Sequence, residues 1–527
     1  MEKIPFLNLG RFLGIIVLLL TTPLLQGSES SKAPNIIIIY TDDQGFGDSS
    51  AQNPDSKFQT PNIDRLAHEG IAFTNAHSPD AVCTPSRYGL LTGRYAWRTT
   101  LKNNVLHADV PCLIADGRMT IASMLRDNGY RTAMVGKWHL GMDIPGEFGN
   151  RDWTQPVKDM PLDKGFEYFY GIPASLNYGV LAWFEGRYAE VPPTLYTAKR
   201  PNDRHLDYRI EPSYQKTADE ARELLERTPL EVAPDFEDNQ CLTRFTNKAI
   251  EWIEDHTKSD ENEKPFFLYL PYTSPHYPVC PLPEFWGQGD AGGYGEFMIE
   301  TDYHVGQILE YLENMGLDDN TIIVYSSDNG AENSWKQRIE EFGHYSNYEY
   351  RGGKRDIYEG GHRVPFFVRW PNGIKNPGRS SDALVGQVDI LATIAELIDV
   401  EIPENAGEDS QSFLTIMESA QKETKRVPLI NHAFDGQMSI TDGNWKLILP
   451  HSDKDIELYD LAKDPSEAEN LADARPKKVK RLLQKATDIV VNGRSTPGVN
   501  QSNDTGYWDH LKWMDESEYE EKHSNVN

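Results

Sequence analysis

The 527-residue chain reads as an α/β protein, a parallel sheet with helices outside it, followed by a smaller α+β subdomain with its own short sheet. Three features point there. Short apolar runs recur along the chain, each closed by a polar cluster. The runs are continuous rather than alternating, as expected for strands buried on both faces. Segments with helical spacing separate them, and strand–helix alternation of this kind makes an α/β fold.

The first run, NIIIIYTDD, starts at Asn35 and ends in Asp42 and Asp43. RTAMVGKWH leads into Lys137 and His139, PFFLYLPYTSPH passes Pro271 to reach His276, and NTIIVYSSDNG ends in Asp328 and Asn329. Each is rich in Ile, Val, Phe and Tyr and too short for an independent helix. Helices are expected over Ile121–Arg131, with a stop at Gly129, over Thr243–His256 and over Glu300–Gly316. In CTPSRYGLLTGR, Thr84 is expected to cap a helix whose first residue is Pro85 and which Gly93 ends. Cys83 then sits at the positive end of that helix, beside Arg87, where an anion is favoured. From about Val427 the texture changes: GNWKLILP (Gly443–Pro450) reads as a strand and the region Lys477–Val490 as a helix. The polar tail from Pro497 either wraps the surface or stays partly disordered. The expected organisation is a signal peptide over 1–27, a catalytic domain over 28–426, and a subdomain with tail over 427–527.

Hydrophobic residues make up 39% and charged residues 25%, an ordinary globular profile. With 52 basic against 81 acidic residues the net charge is −29, which argues against nucleic-acid binding. An anionic ligand must therefore be met locally, by a metal or a few placed cations. At the N-terminus, Lys3 and Arg11 precede an apolar run from Phe12 to Leu25, followed by Gly27 and Ser28. That run suits a signal-peptide core and is short for a membrane span, so a secreted or periplasmic protein is expected, with no stable membrane insertion after cleavage. An uncleaved anchor is the alternative. The spacing of Cys83, Cys112, Cys241 and Cys280 matches no zinc site. One disulfide among them is compatible with export, and buried free thiols are the plainer reading of the last three.

In α/β folds, ligands gather beyond the carboxyl ends of the strands. Four such ends here carry Asp-Asp, Lys-x-His, His and Asp-Asn. Singly, each has an ordinary explanation: a helix cap, a turn, a surface histidine, or, for Lys354 in YRGGKRDIYEGG, a loop lysine. Together, Asp42, Asp43, Asp328 and Asn329 are hard oxygen donors suited to Ca²⁺ or Mg²⁺ and poor for zinc. Lys137, Lys354 and Arg87 add fixed positive charge, and His139 and His276 add groups that titrate near neutrality. With Cys83, the set describes attack on a tetrahedral oxyanion ester, sulfate or phosphate.

These residues also carry a resemblance. CTPSRYGLLTGR resembles the type I sulfatase signature, a C-x-P-x-R core with a downstream T-G-R, and GKWHLG (Gly136–Gly141) resembles that family's second signature. TDDQGFGD, SDNG, GGKRDIYEGGHRVP and the closing LYDLAKDPSEAENLAD are similar to its other landmarks, in the family's order, from about residue 33 to 475. The resemblance implies an alkaline-phosphatase-like fold with a large, mixed, mainly parallel sheet, and sulfuric ester hydrolysis. It implies that a formylglycine-generating or anaerobic maturation enzyme oxidises Cys83 to formylglycine (3-oxoalanine), whose hydrate attacks sulfur. Asp42, Asp43, Asp328, Asn329 and position 83 match the family's ligands for one Ca²⁺. Arg87 matches the arginine that holds the hydrate, and Lys137 and Lys354 the lysines that grip sulfate. His276 matches the acid for the departing alcohol, and His139 the group that takes a proton from the second hydroxyl.

The blocks GFEYFYGIPASLN and RYAWRTTLKNNVL are similar to the arylsulfatase A and N-acetylgalactosamine-6-sulfatase branch, especially its bacterial carbohydrate sulfatases. That implies a sulfated saccharide substrate and removal of a 6-sulfate from galactose or N-acetylgalactosamine. His107, Asn177, His344 and Arg351 are nominated as subsite contacts from loops near the motifs, while Trp183 and Phe184 are assigned to the core. Two rival readings are a phosphodiesterase or phosphonate monoester hydrolase of the same superfamily, and a glycan-binding pseudoenzyme.

Overall fold

Five parallel strands form the centre of the molecule in the order Tyr168–Ile172, Arg131–Lys137, Phe266–Pro275, Asn35–Asp42 and Thr321–Ser327. Ile38 lies opposite Tyr269 on one side and Val324 on the other. Ile36 to Ile39 are fully buried, which is why the run is apolar at every position rather than at alternate ones. Further strands extend the sheet at both margins to ten, all in antiparallel pairs except Arg379–Ser381, which pairs parallel with Ile71–Phe73 and forms one edge. The chain is described here from a computed structural model over residues 33–198, 229–419, 425–452 and 454–526. The expected signal segment, 1–27, lies outside the described residues.

The helices fall into two mutually packed groups. Pro61–His68 and Cys241–Lys258 both contact Gly292–Asn314, while Cys83–Thr92, Ile121–Asp127 and Ile390–Leu397 contact one another. Cys241–Lys258 and Gly292–Asn314 also pack on the strand Phe266–Pro275. The helix expected over Glu300–Gly316 starts two turns earlier, at Gly292. Its glycine-rich first turn has low intrinsic propensity, and burial of Tyr294, Phe297 and Met298 overrides it.

Beyond the large sheet, Leu429–His432, Met438–Asp442, Trp445–Ile448 and Glu457–Asp460 form a four-stranded antiparallel sheet in sequential order. The helix Pro476–Val491 packs on its two middle strands. Ile440, Leu447, Leu482 and Val490 share a core cluster with Tyr95, Trp97 and Val388, so apolar packing fastens this sheet to the segment just after the Cys83 helix. Trp508, Leu511, Met514 and Tyr519 are buried in the same cluster, and Asp504 pairs with Arg94 at 2.9 Å. The tail thus wraps the surface and carries a helix, Glu516–Val526. All four cysteines are free thiols. Trp183 and Phe184 are fully buried, as expected of core residues.

Candidate active site

The carboxyl ends of the central strands deliver the polar side chains to one place. Ligand atoms of Asp42, Asp43, Cys83 and His276 lie within 4.8 Å of one another. Asp43 has a positive φ of 67°, a strained conformation for a residue with a Cβ, and its amide donates to Asp328 Oδ1 at 3.1 Å. Asn329 Nδ2 donates to Asp43 Oδ1 at 2.8 Å, which leaves its own Oδ1 buried and without a donor. Asp42 Oδ1 is also buried and accepts no hydrogen bond. Unpartnered acceptor oxygens at such depth are costly unless a cation takes them up, and the all-oxygen set fits a hard divalent ion.

Cys83 is the first residue of the helix Cys83–Thr92, with Val82 in the N-cap position and Gly93 ending it. The helix therefore starts earlier than expected, and Thr84 is not its cap. The Thr84 hydroxyl instead donates to the His139 carbonyl at 3.0 Å and accepts from the Leu106 amide at 3.2 Å, tying this helix to the His139 loop. Asp80 takes part in the cap region: its Oδ1 accepts from the Val82 amide at 3.2 Å, while Oδ2 pairs with His432 Nδ1 of the small sheet at 2.6 Å.

Three buried cations surround the carboxylates. Arg87 reaches Asp328 Oδ2 through Nε at 3.1 Å and Nη2 at 2.7 Å, and donates to the Lys137 carbonyl at 3.1 Å. Burial works against ionisation of Asp328, but Arg87 and then Lys137 and Lys354 hold its pKa down at about 2. Burial dominates at Asp42 and pushes it up to about 8, even with Lys137 Nζ at 2.5 Å from Oδ2. Lys354 Nζ lies 2.6 Å from Asp43 Oδ1. Burial disfavours its charge, yet Asp43, Cys83 and Glu332 together more than offset this and raise its pKa.

Two close backbone approaches make the convergence possible. A Cβ on Gly136 (φ 138°) would sit 2.0 Å from the Pro271 carbonyl, so only glycine lets the Lys137 strand meet the His276 strand there. A Cβ on Gly330 would sit 1.8 Å from the Gly360 carbonyl, where the Lys354 loop crosses Asn329.

The histidines are oriented differently. His276 Nδ1 lies 2.7 Å from the Tyr277 carbonyl and must donate to it, which turns Nε2 towards Asp43 Oδ2, 3.6 Å away. His139 (φ 59°) directs Nε2 at the Leu106 carbonyl, 3.2 Å away, so its proton resides there and Nδ1 is left as a buried, unpartnered acceptor. Burial, reinforced by Lys137 and Arg87, holds His139 well below the usual histidine pKa, so the ring is neutral.

Several contributors were not visible in the sequence. Glu332, four residues after Asp328, lies 3.5 Å from Lys354 and ion-pairs with Arg355, a residue with φ 79°. The Tyr178 ring lies 5.3 Å from that of His139 and 6.2 Å from that of His107. Of the nominated subsite residues, His107 is exposed at this aromatic margin, and Asn177 is buried next to Tyr178. His344 does not face the cluster: Nε2 donates to Asp48 at 2.7 Å and Nδ1 accepts from the Lys57 amide at 3.3 Å, so both nitrogens are engaged within the core. Arg351 is also held elsewhere, over the Tyr358 ring (3.7 Å) and hydrogen-bonded to Tyr459 and the Glu467 carbonyl.

The sulfatase family model matches residues 34–400, and the model described as the C-terminal region of N-sulphoglucosamine sulphohydrolase matches 343–492. The chain belongs to the sulfatase family. It is accordingly a sulfuric ester hydrolase, with the alkaline-phosphatase-like fold of that family. An N-acetylgalactosamine-6-O-sulfatase of Bacteroides thetaiotaomicron is 33% identical, covering 87% of this chain and 93% of its own. Human arylsulfatase A is 29% identical, covering 88% of each chain. Among solved structures, one from work on glycosaminoglycan metabolism by Bacteroides thetaiotaomicron superposes with a TM-score of 0.75 at 32% identity, covering 87% of this chain and 99% of the other. No helix among the described residues is long and apolar enough to cross a membrane.

Proposed function

We propose that this hydrolase removes the 6-O-sulfate of galactose or N-acetylgalactosamine units in sulfated carbohydrate, using position 83 as formylglycine and one Ca²⁺. The observation that carries the chemistry is the buried cluster in which Asp42, Asp43, Cys83 and His276 converge among Lys137, Lys354 and Arg87. The 33% identity to an N-acetylgalactosamine-6-O-sulfatase supports the choice of sugar and carbon. The signal-like N-terminus supports a secreted or periplasmic protein with a catalytic domain over 28–426 and a subdomain over 427–527. A formylglycine-generating or anaerobic maturation enzyme is the implied partner.

Asp42, Asp43, Asp328, Asn329 and position 83 would hold the ion, whose charge offsets the negative charge gathering at position 83 and the sulfate oxygens. Held at position 83 by the start of the Cys83 helix, the hydrated aldehyde would supply the nucleophilic hydroxyl and, in its second hydroxyl, a route for sulfate release. Lys137 and Lys354 grip sulfate oxygens in a dry site where charge-assisted contacts are strong. Arg87 fixes Asp328 and the Lys137 carbonyl, and so the register of the Lys137 strand with the Cys83 helix. His276 Nε2 gives a proton to the departing sugar oxygen. His139 Nδ1, neutral and unpartnered, takes the proton from the second hydroxyl. His107, exposed beside the Tyr178 ring, and the neighbouring Asn177 would contact the sugar.

The test is sulfate release from galactose and N-acetylgalactosamine sulfated at carbon 2, 3, 4 or 6, with formylglycine at position 83 verified by mass. Preferential release from carbon 6 is expected. Release from another carbon overturns the regiochemistry alone, and faster turnover of a matched phosphoester overturns the ester class.

A further inference from the structure

A groove of about 1020 Å³ lies between the sheet edge at Arg379–Ser381 and the small C-terminal sheet, and none of its lining residues belongs to the Cys83 cluster. Its charge runs against that of the molecule. Among the described residues, six cations line it, Arg379, Lys425, Arg426, Lys463, Arg481 and Lys485, against three carboxylates, Asp382, Asp442 and Asp460. The whole chain has 52 basic and 81 acidic residues, so a two-to-one excess of cations in one concavity is a local inversion.

The pairing inside the groove shows where positive charge remains. Arg426 is neutralised by Asp389, at 2.6 and 2.7 Å, and Lys463 lies 3.4 Å from Asp460. Arg481 and Lys485 share the single carboxylate of Asp442, at 3.2 and 2.7 Å, which leaves one charge over. Arg379 has no carboxylate among the described residues: one Nη donates to the Ile416 carbonyl, and Nε is buried with no partner. Burial lowers its pKa, as expected for a guanidinium removed from water without a counter-charge. Lys425 has no ion pair among the described residues. The half-buried indole of Trp445 forms part of the wall, with Lys478 Nζ 4.5 Å from the ring centroid.

Cations spaced along a concave wall with one aromatic face suit a chain of sugar rings bearing sulfate groups. The apolar ring faces pack on the indole, and the sulfate oxygens take charge-assisted hydrogen bonds. We propose that this groove is a second, non-catalytic binding site for a sulfated polysaccharide chain, with Arg379, Lys425 and the Arg481–Lys485 pair holding sulfate groups and Trp445 stacking on a sugar ring. It would keep a polyanionic substrate on an acidic protein while the catalytic cluster works on one residue. The site does not depend on which carbon carries the sulfate removed.

The test compares wild-type protein with Arg379→Gln/Lys425→Gln, a pair whose loss strands no carboxylate among the described residues. The probe is a chondroitin 6-sulfate dodecasaccharide, with its desulfated form as control. Binding is measured by titration on a Cys83→Ala background, and turnover of a monosaccharide 6-sulfate is measured on converted enzyme. The expected result is dodecasaccharide binding weakened at least ~10-fold in the double variant, from loss of two charge-assisted contacts, with monosaccharide turnover unchanged. In wild type, the dodecasaccharide should also slow amide exchange over 379–384 and 442–445. Equal binding by both proteins, full displacement of the dodecasaccharide by the monosaccharide, equal binding of the desulfated chain, or no exchange protection in those segments overturns the site. Intact monosaccharide turnover in any of these cases leaves the proposed function standing.

Discussion

The segment Arg351–Arg363 supplies Lys354 to one buried charge cluster and Glu359 and His362 to another, and the two are built in opposite ways. At the Cys83 cluster, Asp42 Oδ1, Asn329 Oδ1 and His139 Nδ1 are all buried with no hydrogen-bond partner. The second cluster, His77, Glu359 and His362, also offers ligand atoms within 4.8 Å of one another, but its groups are matched. Lys446 Nζ lies 3.1 Å from His362 Nε2, 3.0 Å from Glu359 and 2.9 Å from Glu467. His362 Nδ1 faces His77 Nδ1 at 3.0 Å, and His77 Nε2 faces Asn75 Oδ1 at 3.0 Å. The chain from Lys446 through His362 and His77 to Asn75 leaves no ring nitrogen without a partner, His362 Nε2 also lying 3.0 Å from the Ile357 carbonyl, and burial keeps both rings neutral. A metal would have to break that chain and meet an ammonium. Closeness of titratable groups is therefore a poor guide to a ligand site; unmatched acceptors distinguish the open cluster from the closed one.

Breaking the open cluster should cost activity and breaking the closed one stability. Cys83→Ser, lacking the second hydroxyl of a hydrated aldehyde, should lose at least ~10³-fold in sustained turnover while melting like wild type. Next in size, chelating divalent ions should abolish most turnover and lower the thermal midpoint, with both restored by Ca²⁺; Asp42→Asn should remove the calcium-dependent part of the midpoint. If chelator moves neither quantity, the unmatched oxygens do not hold an ion.

In the closed cluster, Lys446→Met leaves Glu359 and Glu467 buried without their cation, and denaturant melts should show a loss of about 3–5 kcal/mol. A change below ~1 kcal/mol would mean the cluster is not closed by that lysine. The smallest effect is a pH dependence. Burial lowers His77 to about 3. A histidine whose folded pKa is depressed stabilises fully above its unfolded value near 6.5, and this is lost as pH falls towards 3. His77→Asn removes that loss, so its penalty should shrink by about 1 kcal/mol between pH 6.5 and 5.5. A penalty that grows on acidification contradicts a neutral His77.

Much of this was legible in the sequence. Asn35–Asp42 and Thr321–Ser327 announced themselves because strands buried on both faces need apolar residues throughout, and polar residues at their ends stand out. The tetrad Asp42, Asp43, Asp328 and Asn329 followed, since adjacent parallel strands must bring their ends together. What the sequence hid was assigned by tertiary contacts. His344 and Arg351 were nominated for lying near motifs in the chain, yet Asp48 and Tyr459, distant in sequence, engage them. Glu332 and Arg355 carry no local signature, because their importance arises from the ion pair that encloses Lys354. The start of the Cys83 helix was misplaced because Thr84, a good cap by type, is held by His139 and Leu106 instead.

The proposed function stands on position 83 working as an aldehyde at the heart of the open cluster. The most direct test is to prepare the protein with graded extents of conversion, quantify aldehyde and thiol in the peptide containing residue 83 by mass, and measure sulfate release from the same samples. Activity proportional to the aldehyde fraction, extrapolating to zero for the pure thiol, is the predicted result. Undiminished activity in protein whose Cys83 is wholly unconverted would contradict it.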